Sequence, residues 1–374
     1  MIQKIAFTDN PSGVLTEMVA DLKPDHIFIL TDSNTARHCL PLISSFREKF
    51  PTIDITIPAG EANKNLSTLS SVWETLCRKG GSRKSLLINL GGGVVTDLGG
   101  FAAATFKRGI SFLNFPTTML AAADAAVGGK TGIDFLDLKN EIGAFAPADG
   151  VVISTLPFST LPQPEFLSGF AEMVKMAMIA NPDLYGNILR DLDAADYHLS
   201  HDAPIVNSAL RFAVEEKQRI VTEDPREQGI RAWLNFGHSA GHAFEALLLA
   251  RYEKSLNRQG GADSGDNAVA TPVSHGCAVA HGILVALILG HMILKAPSQL
   301  IYTYRDSILR PLYGRLPLGC GDVDVLIDLM RHDKKNADGN FRLILLRDIG
   351  TPEIIIVPEA DIRAALDIFI DLQN

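Results

Sequence analysis

The chain has 374 residues, 47% of them hydrophobic and 21% charged, which is enough for two globular domains with separate cores. Its 34 Lys+Arg against 43 Asp+Glu leave a net charge of −9, which argues against a general nucleic-acid binder while leaving room for a local basic pocket. The four cysteines, Cys39, Cys77, Cys277 and Cys320, show no C-x-x-C spacing, so a thiolate metal cage is excluded and a reducing compartment is expected.

The first ten residues, MIQKIAFTDN, lack a charged segment followed by an apolar run, so no signal peptide is expected and a cytoplasmic location is. Strands are predicted at 26–30 (HIFIL), 53–57, 85–90 (SLLINL), 111–115 and 151–153, with helices at 66–80 and 94–106 between them. That alternation predicts a parallel sheet with helices on its faces. Prolines 157, 162 and 164 interrupt the chain near 154–162, which sets the expected domain boundary. Beyond it, helical patterns dominate at 165–180, 204–222, 238–252, 276–294 and 323–332. Residues 254–272 (KSLNRQGGADSGDNAVATP) are polar and predict a surface loop. The apolar run 279–294 is broken by His281, Gly282, Gly290 and His291, so a buried helix is expected there and not a membrane span.

Three segments carry chemistry. The strand ending at Leu90 runs into Gly91-Gly92-Gly93 and then a helix, a turn that lets backbone N–H groups approach a pyrophosphate. Thr96 breaks the G-x-G-x-x-G pattern, so a dinucleotide turn and a merely tight packed turn both stand on these residues alone. A second glycine cluster, Val127 to Gly132, ends in Gly-Lys-Thr, but Asp124 occupies the place of the first P-loop glycine and an ATPase is rejected. Lys130, and the following Lys139-Asn140, still make anchors for a phosphate or carboxylate. In 235–245 (NFGHSAGHAFE), His238 and His242 stand four apart on one helix face, half of a divalent-metal site or a pair that fills a helix interface. Ser239 stands where a zinc protease needs glutamate, so peptide hydrolysis is not indicated.

Taken together, the motifs GGGVVTDLGGFAAATFKRG (91–109), FPTTMLAAADAAVGGKTGID (115–134), LKNEIGAF (138–145), GFAEMVK (169–175), EDPREQGIRAWLNFGHSAGHAFE (223–245), HGCAVAHG (275–282) and HDKKNADG (332–339) resemble the 3-dehydroquinate synthase family of sugar phosphate cyclases. The resemblance runs from about Asp32 to Gly350. It implies an α/β Rossmann-like NAD-binding domain over 1–155, followed by an all-α metal- and substrate-binding domain over 156–374. The implied activity is that of a lyase in the shikimate pathway of aromatic amino acid biosynthesis, converting the anionic sugar phosphate DAHP to 3-dehydroquinate and phosphate. The implied sequence is transient oxidation by NAD, elimination of phosphate, re-reduction and aldol closure. A homodimer, and no nucleic-acid or membrane partner, complete the expectation.

The resemblance also reassigns the two-histidine motif. Metal ligands for Zn²⁺ (or Co²⁺) fall on Glu172, His238 and His275, and His242 becomes a substrate contact. Glu/His/His with open positions suits a catalytic zinc site. Phosphate contacts fall on Lys130, Asn140, His242 and Lys334 (or its neighbour Lys335), with Arg108 reaching in from a partner subunit. Arg231 matches a carboxylate contact, and Lys175, Lys217, Glu227 and Asn235 match positions that bind substrate hydroxyls. For NAD the matches are Asp32, Asn34, Glu61, Lys64, Gly92, Gly93, Val94, Asp97, Thr117, Thr118, Asp124, Lys139 and Asn140. An acid at Asp32 after a strand favours ribose hydroxyls over a 2′-phosphate. Departures from the family pattern are Thr96, Ala125-Ala126, Leu138 and Cys277; none removes a group that the chemistry needs. Competing readings are another sugar phosphate cyclase, a metal-dependent alcohol or glycerol dehydrogenase, and a non-catalytic relative.

Overall fold

The computed structural model describes residues 3–136, 138–257, 272–331 and 340–373. Lys334 and Lys335 lie outside the described residues, as does most of the polar segment at 254–272, whose first residues continue a helix. The chain divides into two compact units, Met1–Gly169 with Lys217–Pro225, and Phe170–Glu216 with Arg226–Asn374. The sequence suggested a division at 155/156. A 3-10 turn does occupy Leu156–Thr160, but the helix after it begins in the first unit and continues into the second.

The first unit runs β1 (Lys4–Phe7), α1 (Pro11–Leu22), β2 (Ile27–Asp32), α2 (Ser33–His38), α3 (Ser44–Lys49), β3 (Thr52–Ile57), α4 (Leu66–Arg78), β4 (Leu86–Gly91), α5 (Gly93–Thr105), β5 (Ser111–Pro116), β6 (Lys130–Phe135), β7 (Leu138–Phe145) and β8 (Gly150–Ile153). Six strands form one parallel sheet in the order β1-β8-β5-β4-β2-β3, and β6 and β7 pair as an antiparallel hairpin. Strands buried on both faces read as near-continuous apolar runs, and IFIL and LLINL do so for that reason, the buried Asn89 of the second donating to Asn114 Oδ1. Alternate residues then feed separate cores. Phe28, Leu30 and Leu87 pack with Leu69, Val72, Val95 and Leu98, whereas Ile27, Ile29, Leu86 and Ile88 pack with Leu15, Met18, Val19 and Phe46.

The strand order also locates a crevice. The chain steps outward from β2 to β3 and then returns to β4 on the other side of β2. The carboxyl ends of β2 and β4, at Asp32 and Gly91, therefore flank the point where the winding reverses, the usual ligand position in open α/β sheets.

The second unit takes up α6 (Gln163–Ala180) from Phe170 and continues with α7 (Pro182–Ala194) and α8 (Pro204–Glu223) as far as Glu216. It then holds α9 (His238–Asn257), α10 (His275–Leu294), α11 (Gln299–Tyr304), α12 (Arg310–Tyr313), α13 (Val323–Arg331), β9 (Asn340–Asp348), β10 (Thr351–Pro358) and α14 (Glu359–Gln373). The unit is helical as expected, with one addition: β9 and β10 form an antiparallel ribbon laid against α10. Helix α10 is long and apolar enough to cross a membrane by composition, but 78% of its most apolar window is buried inside this unit, as expected for a core helix.

Close approach of α9 and α10 fixes the positions of their first residues. A Cβ on Gly282 would lie 2.0 Å from the Gly237 carbonyl oxygen and 2.7 Å from the Gly241 nitrogen. Gly237 itself has φ +79°, a left-handed conformation that suits glycine. Any side chain at Gly282 would push the two helices apart, and with them His238 and His275.

Candidate functional site

In the second unit, α6, α9 and α10 bring Glu172, His238, His242 and His275 together. The three imidazoles have ligand atoms within 4.8 Å of one another and ring centroids 5.3–5.7 Å apart. Glu172, 2% exposed, pairs through Oε2 with Lys175, which also donates to the Leu234 carbonyl at 2.6 Å. Its other oxygen, Oε1, is buried without a hydrogen bond and lies 3.6 Å from His238 Nε2 and 3.8 Å from His275 Nε2.

Those separations decide what the cluster can do. They are too long for hydrogen bonds but close to the roughly 3.3–3.5 Å between donors sharing a tetrahedral ion with bonds near 2.0–2.2 Å. A buried carboxylate oxygen left unsatisfied opposite two imidazole nitrogens is a need that a divalent cation meets. Burial, the Lys175 charge and the two neighbouring imidazoles hold His238 well below the usual histidine range. It is therefore neutral, the state a ligand requires. Distance alone groups three histidines, but Oε1 of Glu172 faces the same nitrogens, so the donor set available is Glu/His/His with a third imidazole alongside.

The other expected groups of this unit surround the preceding turn. Arg231 is buried, and Asn235 donates through Nδ2 to Glu227 Oε1 at 2.8 Å. Glu227 has φ +58°, a left-handed backbone. Lys175 is 1% exposed and engaged with Glu172, so its first partner is the carboxylate beside it.

The first unit gathers a different set. Lys64, buried, donates to Asp97 Oδ2 at 2.6 Å and to Asn140 Oδ1. Burial pushes the Lys64 ammonium down, but Asp97 and Glu61 overcome this and the net shift is upward. Asn140 has φ +53° and is held there by its N–H donating to Asp134 Oδ1 at 2.8 Å. Lys217 belongs to this unit and pairs with Asp124 through both its carbonyl and its carboxylate. At the end of β4, Gly92 caps α5 without any side-chain hydrogen bond, which leaves the first N–H groups of the helix for an anion. Thr118 packs against Gly92 and Thr117 donates its N–H to Gly91, while Val94 lies half-buried in the first turn of α5. Asp32 caps α2, accepting at Oδ1 from the N–H groups of Asn34 and Thr35, so a ribose would be held through Oδ2. Arg108, Lys130, Lys139 and Glu61 are exposed; Arg108 has φ +70°.

A family model for the 3-dehydroquinate synthase N-terminal domain matches residues 54–168, and the one for the C-terminal domain matches 169–256. The 3-dehydroquinate synthase of Parabacteroides distasonis is 41% identical over 357 residues, covering 94% of this chain and 93% of the relative. This chain belongs to the 3-dehydroquinate synthase family. Among solved structures, 2-deoxy-scyllo-inosose synthase complexed with carbaglucose-6-phosphate, NAD⁺ and Co²⁺ superposes with a TM-score of 0.79 at 24% identity, covering 97% of this chain and 96% of that one. ValA, the 2-epi-5-epi-valiolone synthase of Streptomyces hygroscopicus subsp. jinggangensis, with NAD⁺ and Zn²⁺ bound, gives 0.80 at 21% identity, covering 99% and 97%. Both share the fold of this 3-dehydroquinate synthase family member.

Two contacts in this family member were not assigned from sequence. Asp134 holds Asn140 in its left-handed conformation, and Glu245 lies with Oε2 3.1 Å from His275 Nδ1. The second left a trace: Glu245 follows His242 by three and His238 by seven, on the same helix face. The first left none, because the two residues meet only through the β6–β7 hairpin.

Proposed function

We propose that this chain converts DAHP to 3-dehydroquinate and phosphate, with NAD bound to the first unit and a divalent cation, Zn²⁺ or Co²⁺, held by Glu172, His238 and His275 in the second. The observation that carries the reading is the unsatisfied Oε1 of Glu172 facing two Nε2 atoms in a member of this family. When bound, NAD takes up and returns a hydride and the cation acts as a Lewis acid on the sugar's hydroxyls.

The chain's own residues do the rest. The N–H groups of α5 after Gly92 and Gly93 receive the pyrophosphate, and Lys64 and Asp97 present a paired charge beside them. Asp32, Asn34, Glu61, Val94, Thr117, Thr118, Asp124 and Lys139 complete the dinucleotide set. Lys130, Asn140 and His242, with Lys334 as a further cation, are the substrate-phosphate contacts that the family resemblance implies. His242 Nε2 or Nδ1 can also carry a proton toward the departing phosphate. The planar guanidinium of Arg231 suits the substrate carboxylate. Glu227 and Asn235, already hydrogen-bonded to each other, orient hydroxyls, as does Lys217; Lys175 acts on them through Glu172. Arg108 serves the active site of a partner subunit in a homodimer. The net charge of −9 and the four free cysteines support a cytoplasmic enzyme with no nucleic-acid or membrane partner.

Purified protein supplied with Zn²⁺, substoichiometric NAD and DAHP should release phosphate through many turnovers without accumulating NADH. Net NADH formation would place the chain among the dehydrogenases, and neither product would remove the enzymatic reading.

A further inference from the structure

A ligating imidazole must present one nitrogen bare and keep its proton on the other, which needs its own acceptor. The two histidines of the proposed site meet this requirement differently. His238 places Nδ1 3.2 Å from the carbonyl of Phe236, two residues away in its own backbone, so its orientation is written into the turn before α9. His275 is the first residue of α10, with no preceding helical turn to restrain its ring. Its Nδ1 lies 3.1 Å from Oε2 of Glu245, a side chain on α9 that is 13% exposed. A carboxylate can only accept, so Nδ1 carries the proton and Nε2 is left bare toward Glu172 Oε1.

We propose that Glu245 is the positioning residue of the metal centre: it fixes the tautomer and ring plane of His275 so that Nε2 is the ligand atom, and its charge makes that imidazole the stronger donor of the pair. This rests on the reading of Glu172, His238 and His275 as ligands. The asymmetry has a consequence, because no side-chain change can remove the acceptor of His238, whereas one substitution removes that of His275.

The test is a chelator-competition titration of metal-free protein with Zn²⁺ and with Co²⁺, on the wild type, Glu245→Gln and Glu245→Ala. Glu245→Ala should bind Zn²⁺ about 10–100-fold more weakly. Its Co²⁺ absorption bands should shift as the ligand geometry relaxes. Glu245→Gln keeps an amide oxygen for the Nδ1 proton and should retain the wild-type Co²⁺ spectrum with a smaller loss of affinity. A Glu245→Ala protein with wild-type affinity and spectrum would overturn the proposal while leaving the ligand set standing. A wild type that takes up no zinc would overturn the ligand set and this proposal with it. The third measurement needs no variant: in the zinc-loaded wild type, the imidazole ¹⁵N spectrum should show His275 metallated at Nε2 and protonated at Nδ1, and metallation at Nδ1 would overturn the assignment.

Discussion

Lys175→Met isolates the electrostatics of the metal centre. Lys175 and Glu172 are 1% and 2% exposed and form an ion pair one helical turn apart, with Lys175 also donating to Leu234. Methionine keeps the length of the aliphatic stem and fits irregular cores, so the change removes a charge and two hydrogen bonds with little lost packing. Removing one partner of a buried pair leaves the other charge uncompensated, at a cost of about 3–5 kcal/mol. For a unit of this size that corresponds to a fall in Tm of roughly 6–20 °C, at about 2–4 °C per kcal/mol. The same argument fixes how metal alters the result. A bound divalent cation supplies the positive charge that Glu172 has lost, so saturating Zn²⁺ should recover most of the difference, and the variant should bind Zn²⁺ at least as tightly as the wild type. Differential scanning calorimetry with chelator and with excess Zn²⁺ measures both effects. An unchanged Tm in chelator, or the same loss with and without Zn²⁺, would refute the idea that Lys175 is there to balance Glu172.

Two further outcomes follow from packing and protonation. Gly282→Ala places a methyl 2.0 Å from a backbone oxygen of Gly237, so α9 and α10 must separate; we expect at least about 1–3 kcal/mol of destabilisation together with weaker metal binding, and wild-type Zn²⁺ affinity in this variant would contradict the positioning argument. His281 is fully buried with Nδ1 2.8 Å from the Cys277 carbonyl, and burial lowers its pKa to about 4 despite that contact. The unfolded chain, with histidine near 6.5, binds the extra proton first as the pH falls, so stability is present above 6.5 and lost progressively toward pH 4. The shift is worth roughly 3 kcal/mol. Urea denaturation between pH 7 and 4 should show this slope, and the slope should flatten in His281→Gln; an equal slope in both proteins would assign the acid sensitivity elsewhere.

Local patterning made five of the six sheet strands, all but β1, and most of the long helices legible, because HIFIL, SLLINL and the 3.6-residue repeats are set by burial on two faces or on one. The His238–His242 pair was legible in the same way, since spacing by four fixes a common face. What spacing could not reveal was that Glu172 and His275, each on another helix, complete the cluster; only the family resemblance pointed to them. The β9–β10 ribbon escaped because it follows a run of helices and the leucine-rich FRLILLRD was absorbed into the helical texture, although TPEIIIVP carries the β-branched composition of a strand. Helices α7 and α14 escaped as well, although Leu184, Tyr185, Ile188 and Leu192 in the one, and Ile362, Ala365, Leu366, Phe369 and Ile370 in the other, recur at helical spacing. The β6–β7 hairpin was hidden for another reason: β7 is exposed along nearly all its length, so no alternation marks it. Lys175 shows the limit of matching positions alone, as its chemistry is set by the carboxylate three residues before it.

The central claim is that Glu172, His238 and His275 hold the metal and His242 stands beside it for the substrate. Metal content after dialysis, measured for His275→Ala and His242→Ala against the wild type, tests it most directly. The account predicts that His275→Ala retains no bound zinc, whereas His242→Ala retains a full equivalent and loses turnover. Zinc lost from His242→Ala and kept by His275→Ala would contradict it.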